Sequence, residues 1–160
     1  MSAANLEHYL NDHLAGAAGA LVMVEDLSKR ENAGEDAEFF KQLHEEIYAD
    51  RELLLGLMSQ ANLRSSALLQ AAGSATAKLG RLKLMWEGFE PGQLGLFEAL
   101  EMLVIGIQGK RLLWHALEEA ASEMPEWSGA DFPALAESAK NQRDRVEKKR
   151  LAAAREALSK

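Results

Sequence analysis

The sequence predicts an all-α protein, and three observations carry that reading. Ala, Leu, Glu and Lys abound while β-branched residues are scarce, prolines stand only at 91, 125 and 133, and apolar residues recur at helical spacing. Breaks fall at "NAGED" (32–36), "ANLRSS" (61–66), "WEGFEPGQLG" (86–95) and "MPEWSGADFP" (124–133). They leave helices near 4–31, 36–61, 66–86, 94–123 and 131–158.

On a wheel of about 100° per residue, the 4–31 helix turns Leu6, Leu10, Ala17, Leu21 and Val24 inward. His13 falls near the middle of that face and His8 opposite it. The 36–61 helix buries Phe39, Leu43, Ile47, Leu54 and Leu57, with Asp50 at the centre and Glu46 at the edge. The 66–86 helix carries Gly73 and Gly80 and reads as the more strained element, spanning a crossover from 62 to 93. In the 94–123 helix the apolar face is Leu100, Leu103, Val104, Ile107, Trp114 and Leu117; Arg111 and Glu118 project into it, and Glu101, Lys110 and His115 flank it. The 131–158 helix starts on Asp131 as N-cap with Pro133 in its first turn. Gln142 flanks its apolar row beside Ala139 and Val146. No internal repeat or sustained coiled-coil heptad stands out.

Composition narrows the function classes. At 160 residues and 48% hydrophobic, the chain fits one domain, 1–160, with a sizeable core. No apolar run is long enough to span a bilayer, so no membrane partner is expected. The start "MSAANLEHYL" lacks the basic region and apolar core of a signal peptide, and the expected location is cytoplasmic. There is no cysteine for disulfide, thiol or Cys-zinc chemistry. A net charge of −7 opposes binding to a phosphate backbone, so nucleic acid is not an expected partner. The basic tract "KNQRDRVEKKR" (140–150) alternates with acids and reads as a solvated helix face.

Inward polar residues pose the functional question, because buried charge is costly unless paired. With helices running alternately up and down at about 1.5 Å per residue, His13 lies roughly 12 Å above the lower end, Asp50 roughly 16 Å, and the 111–118 turns roughly 8–18 Å. Gln142 passes the same height. His13, Asp50, Arg111, Glu118 and Gln142 are therefore expected in one buried polar layer, neutralised by Asp50 with Arg111 or Lys110. Gly16 and Gly19 fall level with Gly106 and Gly109, just above it. Glycine inside a helix costs about 1 kcal/mol relative to Ala. The four glycines are expected to let the 4–31 and 94–123 helices approach closely, the alternative being a small cavity or ligand.

A long bundle with a crossover between its second and third main helices, and with acids and histidines pointing inward, resembles the ferritin-like superfamily. The resemblance implies an up-down helical bundle with an additional crossover helix and, in di-iron members, a Glu from each of two helices and a Glu-x-x-His from each of the others. No Glu-x-x-His occurs here. The expected function is thus a non-catalytic binding or structural module with a buried ion-pair network, no cofactor, and a homodimeric state. The alternative is a metal-binding ferritin-like oxidoreductase or stress protein, with His13, Asp50, His115 and Glu118 as non-standard ligands for iron, zinc or manganese.

Other chemistry finds no motif. "GSATAKLG" (73–80) and "GKR" (109–111) lack the Gly-Lys-Ser/Thr ending of a phosphate loop, and there is no nucleophile elbow, dinucleotide fingerprint or calcium loop. Trp114 reads as core. Trp86 and Trp127 lie near loops, where each is expected to pack locally, the alternative being to anchor a helix end or a partner surface.

Overall fold

The computed structural model describes residues 3–30, 34–66 and 92–159. Among these the secondary structure is helical, without strands: α1 (Ala3–Ser28), α2 (Glu35–Gln60), α3 (Gln93–Ala120) and α4 (Phe132–Leu158), with short 3-10 turns at Ala121–Glu123 and Pro125–Trp127. Four of the expected helices are present within a few residues of their expected ends. The expected 66–86 helix, with Gly73, Gly80 and Trp86, lies outside the described residues apart from its first position. Among the described residues no helix is long and apolar enough to cross a membrane.

The chain divides into two compact units, Met1–Lys83 with Met124–Gly129, and Leu84–Glu123 with Ala130–Lys160. The first holds α1 and α2. Both helices bury residues at helical spacing, Leu10, Leu14, Val24 and Leu27 on one and Phe40, Leu43, Ile47, Leu54, Leu57 and Met58 on the other. Gly34 takes a φ of 48° immediately before α2, a conformation that favours glycine. Glu35, Asp36 and Glu38 then place negative charge on the positive end of the helix.

How α2 stops explains how the first unit is tied together. Asn62 adopts a left-handed φ of 54°, which Asn tolerates better than most residues. Its N–H donates to the Ser59 carbonyl at 3.1 Å and that of Leu63 to the Met58 carbonyl at 2.9 Å, the paired bonds of a Schellman cap. The reversed chain then meets the first turns of α1. The Arg64 guanidinium donates to both carboxylate oxygens of Glu7, and the Arg64 N–H donates to Glu7 Oε1 at 2.9 Å. Asn11 donates from Nδ2 to the Arg64 carbonyl at 3.0 Å and accepts at Oδ1 from the Ser66 N–H at 2.6 Å. The start of α1 thus lies beside the end of α2, which makes the two helices antiparallel. Trp127 completes this unit: it is 1% exposed, and its indole N–H donates to the Leu57 carbonyl in the last turn of α2 at 2.8 Å.

In the second unit, α3 and α4 are antiparallel too. Glu101 pairs with Arg150, Gln108 with Arg143, Lys110 with Gln142, and Trp114 lies against Phe132, so positions rise along one helix as they fall along the other. Ala136, Ala139, Val146 and Ala153 form the buried row of α4. Such small side chains let a neighbouring helix lie close. The helix starts as its sequence indicates, with the Asp131 carboxylate accepting from the Ala134 N–H at 3.0 Å and Pro133 in the first turn.

Candidate functional site

The residues expected in the polar layer belong to both units: His13 and Asp50 to the first, Arg111, Glu118 and Gln142 to the second. In the first unit His13 is half-buried and packs edge-on against Tyr9, with ring centroids 4.8 Å apart. Burial pushes the imidazole below its ordinary value of 6.5, partly opposed by the neighbouring Asp12 carboxylate. Asp50 is half-buried as well.

This geometry gives His13 a pH signature. Well above pH 6.5 the imidazole is neutral in folded and unfolded chains alike, and its contribution is constant. As pH falls, the unfolded chain takes up the proton first, so stability is lost from about 6.5 down to the depressed folded value and levels off below it. Urea unfolding across this range should show a steeper decline for the wild type than for His13→Gln. Parallel profiles would rule out a titrating, buried His13.

In the second unit the polar arrangement differs from the expected one. Gln142 is 3% exposed, and the Lys110 ammonium donates to its Oε1. Lys110, expected at the flank, therefore supplies this contact. Arg111 is half-buried, and its Nε is buried without a hydrogen-bond partner among the described residues. Glu118 and His115 are exposed, paired only loosely with each other at 3.6 Å. The cause is the orientation of α3. Ala99 and Leu113 are buried whereas Val104 is only half-buried, so the inward face is turned by about 40° from the one read on the wheel. That rotation carries Glu118 and His115 outward and leaves Arg111 at the border.

The four glycines of the expected approach are divided between the units, Gly16 and Gly19 in the first and Gly106 and Gly109 in the second. A Cβ built on Gly16, Gly106 or Gly109 meets nothing within 4 Å, and Gly16 and Gly106 are exposed. No close neighbour among the described residues requires glycine at those three positions; Gly19 is half-buried. The alternative metal ligands are divided likewise, His13 and Asp50 in the first unit and His115 and Glu118 in the second. Among the described residues no three His, Asp or Glu side chains form a cluster that could hold a metal ion. His115 and Glu118 offer two donors on an open helix surface, short of the three or four that zinc takes from protein.

What the second unit does build is a groove between α3 and α4. Val104, Ile105, Gly109 and Leu112 form an uncharged floor on α3, and Arg143, Asp144, Glu147 and Arg150 form a rim on α4. The rim is internally satisfied. Arg143 contacts Asp144 at 2.6 Å and donates to Gln108 Oε1 at 2.7 Å. Arg150 bridges Glu147 at 2.6 Å and Glu101 at 3.0 Å, with its guanidinium carbon 5.6 Å from the centroid of the Phe97 ring. Arg143 beside Asp144 and Arg150 beside Glu147 hold both carboxyls below the ordinary carboxylate range. These groups are suited to framing a surface rather than to exchanging protons near neutral pH. Of the groove, Glu101, Val104 and Gly109 are legible in the sequence in other roles and the rim only as part of the solvated tract 140–150; the ladder from α3 to α4 is not legible, because its members are too far apart in sequence to form a local pattern. No family model, curated protein or solved structure matches this chain.

Proposed function

We propose that this chain is a non-catalytic binding or structural module of ferritin-like connectivity, and that the α3/α4 groove is its working surface. The connectivity is supported by two successive antiparallel hairpins with helices of 26, 26, 28 and 27 residues, joined by a connection spanning 61–92. One observation carries the functional reading: an apolar floor framed by charges that are committed to one another. Such a surface recognises by shape and apolar contact, the charges setting register more than strength.

Metal content separates this reading from a metal-dependent oxidoreductase. Protein purified without chelator is expected to carry no stoichiometric iron, zinc or manganese and to keep its Tm across a series of those ions, since an ion that binds only the folded chain raises its stability. Near-stoichiometric metal that is lost in His13→Ala would overturn the proposal.

A further inference from the structure

α3 has a second apolar face. Met102, Ile105, Gly109, Leu112 and Ala116 follow one another in steps alternating between three and four residues, the spacing of a two-helix coiled-coil seam. The seam is open: Ile105 is 61% exposed, Leu112 57% and Met102 37%. At its middle, a Cβ on Gly109 would meet nothing within 4 Å. A glycine that weakens the helix and a row of exposed aliphatic side chains on the same face are both unused by the described fold.

The geometry points to a second copy of this chain as the occupant, its α3 lying antiparallel across this α3 about a two-fold axis, with Ile105 of one copy over Gly109 of the other. This rests on the groove face being the working surface, and three observations favour a second copy. The seam complements itself, because the same antiparallel register that sets Ile105 on Gly109 sets Met102 on Leu112, filling a notch with a branched side chain at each end of the axis. Charge permits the contact: the chain carries a net −7, yet along this rim Arg143 and Arg150 offset two of the three carboxylates of Asp144, Glu101 and Glu147, so little of that charge stands where two copies meet. Size suffices as well. α3 is about 42 Å long, and with α4 beside it the face is about 20 Å wide, so a footprint of up to about 800 Å² per copy, the scale of a stable interface, is within its reach.

Sedimentation of the full chain from low micromolar to near-millimolar concentration tests this. The wild type is expected to reach twice the chain mass, and both the Ile105→Glu/Leu112→Glu variant and Gly109→Trp are expected to remain at the single-chain mass. Helical circular dichroism should be unchanged in each, since the altered side chains point to open space. A wild type that stays monomeric would overturn the second copy, and a dimer that persists in both folded variants would overturn this face as its site. Neither result alters the metal measurement, so the failure of this inference and that of the proposed function are distinguishable.

Discussion

Trp127→Ala is expected to lower the unfolding free energy by about 3–5 kcal/mol, the range for truncating a large buried aromatic residue. Trp127 is nearly inaccessible to solvent, and its short 3-10 turn has little regular structure of its own to hold it against the end of α2. Removing the indole takes away both the apolar contact and the donor to the Leu57 carbonyl. Trp127→Phe separates the two contributions. It keeps an aromatic ring and loses the N–H, while the Leu57 carbonyl still accepts from the Ala61 N–H at 3.2 Å, so the hydrogen-bond part of the loss should be only about 1 kcal/mol. Denaturant unfolding followed by helical circular dichroism measures both. An alanine variant within about 1 kcal/mol of the wild type would show that the 124–129 segment does not anchor the first unit.

Gln142→Leu is expected to cost about 1–3 kcal/mol, the range for removing one partner of a buried polar contact. Leucine fills a similar volume among Ala139 and Val146, and the loss arises because the half-buried Lys110 ammonium is deprived of this acceptor. Replacing both partners, as Lys110→Met with Gln142→Leu, should recover most of it, since both ends of the polar contact are then removed together. Equal destabilisation of the single and double variants would mean that the contact does not account for the burial of Gln142.

These two residues mark different limits of what sequence can show. Gln142 was legible as an inward polar residue because Ala139 and Val146 share its helical face, and periodicity is a local property. Its partner was not legible, because Lys110 lies on another helix and reads as a flanking charge able to neutralise Asp50. For Trp127, a loop position indicates local packing, with a helix end or a partner surface as alternatives, and does not name the end of α2. The Glu7, Asn11 and Arg64 clasp left no sequence signal at all, since its members are more than fifty positions apart and none stands out locally.

α3 shows why a strong pattern can mislead. Its residues are apolar on the core side and again along Met102, Ile105 and Leu112, so the wheel has two candidate directions and the mean between them is a poor guide to burial. The face read from sequence is displaced by a fraction of a turn, enough to move Glu118 from interior to surface and His115 from the flank to the surface. The outer heptad spacing went unnoticed for the same reason: Leu103, Ile107, Trp114 and Leu117 already satisfied the expectation of one apolar stripe.

What the sequence determined by itself was the helical class, the extent of the four described helices, the Asp131 cap and the inward position of Gln142, all consequences of propensity, breaks and spacing within one element. Only the tertiary structure decided which way α3 is rotated, which groups satisfy one another across α3 and α4, and which glycines face open space. Those depend on contacts between elements, where small rotations exchange core for surface and where no periodicity links the residues that meet.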